Sequence, residues 1–158
     1  MATAGKNLSD YDKDELPDAR QMRIGLVVSQ WNPEITEALY QGARSTLLEC
    51  GVSDGNLLRW DVPGSFELPF GCKKMIHREQ PDAVIAIGSV IRGETPHFDF
   101  VCQATAQGIQ ELNLRGEVPV IFCVLTDNTL QQARDRSGGR HGNKGAEAAV
   151  AALKMAAL

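Results

Sequence analysis

Arg23-Ile24-Gly25-Leu26-Val27-Val28 opens into an unbroken apolar run. It lacks the in-out alternation of a half-solvated strand, so both of its faces must be covered, as in the interior of a parallel sheet. Ala83-Val84-Ile85-Ala86-Ile87-Gly88 and Val120-Ile121-Phe122-Cys123-Val124-Leu125 repeat that character. Leu57-Leu58-Arg59-Trp60-Asp61-Val62 is more mixed and reads as a strand at an edge. Helical periodicity fills the gaps. Asn32 is an N-cap type and Pro33 suits the first helical position. Ile35, Ala38, Leu39, Gly42, Ala43, Thr46, Leu47 and Cys50 then share one face, and Gly51 closes the helix. Ser65 is the expected cap of a second helix with Leu68, Cys72, Met75 and Ile76 inward. Thr95-Pro96 opens a third, burying Phe98, Val101, Cys102, Thr105, Ile109 and Leu112. Thr126 or Asp127 starts a short fourth that ends at Ser137-Gly138-Gly139. A last helix from about Gly145 buries Ala149, Val150, Leu153 and Ala157.

The order β-α-β-α-β-α-β-α-α predicts right-handed crossovers with helices on both faces of the sheet. The expected fold is α/β: a single-domain, flavodoxin-like three-layer sandwich around a central four-stranded parallel sheet. A chain of 158 residues is one domain, large enough to bury a core unaided. Residues 22–158 carry the pattern. Residues 1–21 are charge-rich and poor in apolar residues, and read as an arm that is flexible unless something holds it.

Composition removes several classes of function. Lys+Arg is 16 against 20 Asp+Glu, a net charge of −4, without the basic surplus of a nucleic-acid binder. No apolar run approaches the ~18 residues of a membrane span, and the N-terminus has no signal-peptide core. The expectation is a soluble cytoplasmic protein with no membrane or nucleic-acid partner. Cys50, Cys72, Cys102 and Cys123 form no CxxC pair, lie in apolar contexts and read as four reduced, buried thiols. His77 and His141 lack metal-ligand spacing, so no metal site is expected.

Ligands of such sheets gather at the carboxyl ends of the strands, and an unusual segment follows each strand. Ser29-Gln30-Trp31-Asn32 brings an aromatic that either stacks on a planar heterocycle or packs the rim. Val62-Pro63-Gly64-Ser65-Phe66-Glu67 follows the second strand. Gly88 to Thr95 has the glycine spacing of a phosphate loop, but Gly93-Glu94-Thr95 replaces the Gly-Lys-Ser/Thr of a nucleotide-triphosphate site. It reads either as a capped turn or as backbone donors for a phosphate. His97 falls in the first turn of the third helix, on the ligand rim, where an imidazole suits proton transfer. Arg136 to Gly145 is basic and glycine-rich; it either presents cations to an anion or is a solvated loop.

Together these segments resemble the 6,7-dimethyl-8-ribityllumazine synthase family, from about residue 22 to the C-terminus. Val62-Pro63-Gly64-Ser65-Phe66-Glu67-Leu68-Pro69 is similar to its PGxxE segment. Gly88 to Asp99 is similar to its phosphate-and-histidine segment, and Gly142-Asn143-Lys144-Gly145 to its late GNKG turn. The resemblance implies a transferase of riboflavin biosynthesis that needs no cofactor. It would condense 5-amino-6-(D-ribitylamino)uracil with 3,4-dihydroxy-2-butanone 4-phosphate, giving the lumazine, phosphate and water.

Carried over by residue, the resemblance implies a pyrimidine and ribityl site at Trp31, Ser65, Phe66, Glu67, Ser89, Val90, Ile91 and Phe122. Trp31 stands where many relatives have Phe. Glu94 and Thr95 would meet the phosphate through backbone donors, with Arg136 as countercharge and His97 as proton donor. Lys144 and Glu147 would form a supporting charged pair. Phe122 and Arg136 would come from a neighbouring subunit of a homopentamer. Such pentamers can close into an icosahedral shell, favoured here because Arg136 to Gly145 carries no insertion. Two other readings compete. A shell or flavin-binding protein without catalysis sits poorly with intact His97 and Arg136. A receiver-type signalling domain would need clustered acids after the first strand, and Ser29-Gln30-Trp31-Asn32 has none.

Overall fold

The computed structural model describes residues 7–158. Four parallel strands, β1 (Ile24–Ser29), β2 (Leu57–Val62), β3 (Ala83–Ile91) and β4 (Val120–Asp127), form one sheet in the order β2-β1-β3-β4. Helices α1 (Pro33–Glu49), α2 (Leu68–Glu79), α3 (His97–Arg115), α4 (Leu130–Arg136) and α5 (Lys144–Ala156) complete the sandwich. The mixed strand β2 is indeed an edge, and β4 is the other. The expected flavodoxin-like architecture is the one present.

Strand pleating divides the core in two. Ile24, Leu26 and Val28 of β1 join Ile85 and Ile87 of β3 and Cys123 and Leu125 of β4 under α1, α4 and α5. Val27, Val84, Ala86, Val120 and Val124 point the other way, onto Leu68, Cys72 and Met75 of α2 and Ile109 of α3. Burial of both faces is what the continuous apolar runs require. Burial also pushes the Cys72 and Cys123 thiols up to about 12, so neither is a thiolate at neutral pH.

Several local expectations change. β3 runs on through Ile91 and β4 through Asp127, because the two strands pair along that whole length. Thr126 and Asp127 therefore belong to the sheet, and Thr129 caps α4, its side chain accepting from the Gln132 N–H. Ser137–Gly139 and Gly142–Asn143 form a small antiparallel hairpin, β5 and β6, where the sequence suggests only a loop. Ala157 is exposed and Val150 half-buried; Ala148, Ala149, Ala152 and Leu153 form the buried face of α5.

Something does hold the arm over residues 7–21. Ala19 is fully buried. The Leu8 N–H donates to the His141 carbonyl at 2.8 Å, and the Asn143 N–H donates to Ser9 Oγ at 2.9 Å. Tyr11 Oη donates to Glu49 Oε2 at 3.0 Å. Gly142 makes the hairpin contact possible. Its φ is +81°, and a Cβ there would run into Asn7 and sit 2.9 Å from the Leu8 and Ser9 nitrogens. The first six residues of the arm lie outside the described residues.

Candidate active site

The segments after β1, β2 and β3 enclose a cavity of about 410 Å³ on the carboxyl rim of the sheet. It opens beside the β1–β3 boundary, where the strand order reverses, the usual ligand position in an open α/β sheet. Trp31, Ser65, Phe66, Glu67, Ser89, Val90, Ile91, Thr95 and His97 line it, with Gly64, Gly93, Phe98 and Val101.

Each wall has a local cause. Asn32 adopts a left-handed conformation, φ +58°, and makes no capping bond for α1. Its Nδ2 instead donates to the Ser89 carbonyl at 2.9 Å, tying the turn after β1 to β3. That turn presents Trp31, 71% exposed, at the cavity mouth. Ser65 does not cap α2 either. It begins a 3-10 turn, Ser65–Glu67, that leads into α2, and its hydroxyl is buried without a hydrogen-bond partner among the described residues. The turn sits against Gly88, where a Cβ would lie 2.6 Å from Ser65 Oγ. Thr105 Oγ1 donates to the Ser65 carbonyl at 3.1 Å and ties α3 to the same wall. Phe66 is 60% exposed. Ser29 Oγ and Ser89 Oγ are also buried without partners among the described residues at these strand ends. An unpaired buried hydroxyl costs stability, so the two that line the cavity, on Ser65 and Ser89, mark a region shaped for polar occupants.

The third wall is braced by Arg92, a residue the sequence motifs do not single out. Its guanidinium donates to both Asp99 carboxylate oxygens, at 2.7 and 3.2 Å, and to Asn128 Oδ1 at 3.0 Å. It also lies over the Phe98 ring, 4.2 Å from the centroid. The partnership with Arg92 holds the Asp99 carboxyl below its ordinary range. So engaged, Arg92 fixes the Gly93–Pro96 loop instead of offering a free cation. The sequence does carry a signal for it: an Arg and an Asp flank the loop seven positions apart. Asn32 looks like a plain N-cap in the sequence because capping preference alone cannot reveal a bond made 57 residues away.

Five expected residues are not in the cavity. Glu94 is exposed, between Gly93 and Thr95, which do line it. Phe122 lies on the edge strand β4 and is 37% exposed. Arg136 closes α4; its Nη1 donates to the Gln132 carbonyl at 3.1 Å and lies 3.8 Å from Asp127 Oδ1. Burial pushes the Asp127 carboxyl up, and Arg136 draws it partly back. Lys144 Nζ meets Glu147 Oε1 at 2.7 Å at the start of α5, beside Cys123.

The family model described as 6,7-dimethyl-8-ribityllumazine synthase matches residues 21–158. The chain belongs to that family. It is 60% identical to the 6,7-dimethyl-8-ribityllumazine synthase of Flavobacterium psychrophilum over 158 residues, all of this chain and 84% of that protein. The enzyme of that name from Christiangramia forsetii is 60% identical over 159 residues, covering all of this chain and 95% of its own. The Porphyromonas gingivalis enzyme is 56% identical over 158 residues, covering 100% and 98%. The lumazine synthase fold and the cavity on its carboxyl rim thus coincide with the resemblance that the sequence motifs carry.

Proposed function

We propose that this chain makes 6,7-dimethyl-8-ribityllumazine at the carboxyl-rim cavity, from 5-amino-6-(D-ribitylamino)uracil and 3,4-dihydroxy-2-butanone 4-phosphate. The observation that carries the assignment of the site is the convergence of Trp31, Ser65–Glu67, Ser89–Ile91, Thr95 and His97 on one cavity. The pyrimidine lies between the Trp31 and Phe66 aromatics, whose faces suit a planar ring. The backbone of Ser89 to Ile91 reads its polar edge, and Glu67 holds the ribityl hydroxyls. The Glu94 and Thr95 backbone N–H groups meet the phosphate.

The 5-amino group attacks the ketone carbon, and loss of water leaves an imine. Loss of the neighbouring C–H proton expels phosphate, and the resulting enol becomes a ketone. The ribitylamino nitrogen attacks that carbonyl, and a second water leaves as the ring closes. His97 moves protons to and from these oxygens. Amine and ketone are already reactive partners, so holding them together supplies much of the rate.

Phe122 and Arg136 complete the site of a neighbouring copy in a homopentamer, and the Lys144–Glu147 pair is a supporting charged pair near the site. Supporting this, they lie off their own cavity. Phe70, Phe100, Leu114 and Phe122 are exposed apolar side chains on α2, α3 and β4, more than a lone subunit of this size would usually leave in water. The uninterrupted Arg136–Gly145 stretch favours closure of pentamers into a shell. Among the described residues no helix is long and apolar enough to cross a membrane, and this reading places the reaction in the cytoplasm. Purified protein given both substrates and a chelator tests the activity. Appearance of the lumazine chromophore supports it, and no product or a metal requirement contradicts it.

A further inference from the structure

Asp127 is the last residue of β4 and is 7% exposed. Its Oδ1 lies 3.8 Å from Arg136 Nη1, too far for a hydrogen bond. Its Oδ2 is buried and has no hydrogen-bond partner among the described residues. A buried carboxylate usually gathers donors on both oxygens, so this one is incompletely compensated. Arg136 is equally uncommitted: among the described residues its guanidinium makes one Nη1 bond, to the Gln132 carbonyl at 3.1 Å, which leaves most of its fork of donors available. The Arg136 guanidinium is poised between two anions. One is the fixed carboxylate of its own chain, and the other is the phosphate that Arg136 is assigned to bind.

We propose that Asp127 competes with phosphate for the Arg136 guanidinium. The carboxylate holds the guanidinium while no phosphate is present and gives it up when the phosphorylated ketone arrives. It reclaims the guanidinium as inorganic phosphate leaves. Asp127 thereby weakens phosphate affinity and hastens product release, acting through Arg136 and touching no substrate. Distance and charge both allow this. A 3.8 Å contact to a carboxylate is easily exchanged for bidentate hydrogen bonds to a dianion. The inference rests on the assignment of Arg136 as the phosphate countercharge, and its test separates the two.

The experiment is calorimetric titration of the assembled protein with inorganic phosphate, together with phosphate inhibition of turnover. It compares the wild type, Asp127→Asn, Arg136→Ala and the double variant. Asp127→Asn keeps the side-chain shape and removes the charge. It is expected to bind phosphate about fivefold more tightly and to lower the KM for the phosphorylated ketone, leaving the KM for the pyrimidine unchanged. A purely structural role for Asp127 predicts the opposite sign, weaker phosphate binding as Arg136 loses its support. In the double variant the gain should vanish, leaving the weak binding of Arg136→Ala. Unchanged or weaker phosphate binding in Asp127→Asn, alongside weakened binding in Arg136→Ala, overturns the competition and keeps the Arg136 assignment. Unchanged binding in Arg136→Ala overturns both.

Discussion

The rims of β3 and β4 lie side by side in register, yet they treat their functional residues differently. β3 ends in Ser89, Val90 and Ile91, which face the cavity with Thr95 and His97 of the following loop and helix. That loop is locked by Arg92 on Asp99 and Asn128. β4 ends in Asp127, and the segment beyond it, Arg136 above all, stays off the cavity and loosely held. One rim is preassembled within a single chain. The other offers a cation with spare donors, and further down the same edge strand Phe122 is an exposed apolar side chain. A site half prepared in this way fits the proposal that a second copy brings its β4 rim to the first copy's β3 rim.

Arg136→Ala should have the largest effect. Loss of a charge-assisted contact to phosphate is worth about 10- to 100-fold. The KM for the phosphorylated ketone should rise by that factor while the KM for the pyrimidine barely moves. Steady-state kinetics with each substrate varied in turn checks this, and equal weakening of both would erase the division of labour between the rims. His97→Ala should lower turnover by about 10²-fold or less, the low end for a positioned acid–base group, because water at an open rim can carry protons. Rapid-mixing assays should find binding intact; complete loss of turnover with intact assembly would give His97 a larger part.

Trp31→Ala should raise the KM for the pyrimidine by about fivefold, the scale of one aromatic stack. Riboflavin, whose ring system is larger, should quench the fluorescence of Trp31. Trp60→Phe is the control for the only other tryptophan. Quenching that survives in Trp31→Ala would remove the indole from the pocket. The smallest effect on chemistry should come from Gly142→Ala. Its left-handed backbone and the close arm make the substitution cost about 1–3 kcal/mol of stability, read as a lower Tm. Any kinetic change should fall on the β4 rim, in the KM for the phosphorylated ketone.

The sheet was readable in the sequence because both faces of every central strand are buried, and a continuous apolar run of strand length seldom arises any other way. Helix boundaries were readable at Pro33 and Gly51, where Pro and Gly mark them, but not at α2, whose start at Leu68 follows a separate turn. Long-range bonds were not. Nothing local to Asn32 announces Ser89, and nothing local to Leu8 and Ser9 announces the hairpin that holds them. The β5–β6 hairpin was hidden for the same reason: two or three residues per strand carry no periodicity. In the site, the motifs located the cavity-lining residues together, since each lies at or just beyond the carboxyl end of a strand and the rim collects them. The 3.8 Å relation of Asp127 to Arg136 depends on how far β4 extends. The apolar run stops at Leu125, two residues before the strand does.

In the proposed shared site, His97 comes from one chain and Arg136 from the next. Mixing Arg136→Ala with His97→Ala chains, unfolding and reassembling them together, tests it most directly. In randomly mixed rings, about a quarter of the sites would combine an intact His97 with a neighbour's intact Arg136. Turnover at low concentrations of the phosphorylated ketone should then recover towards about that fraction of the wild type. If co-assembly is verified by native mass and activity stays at the average of the two parent variants, each chain uses its own Arg136 and the shared site is contradicted.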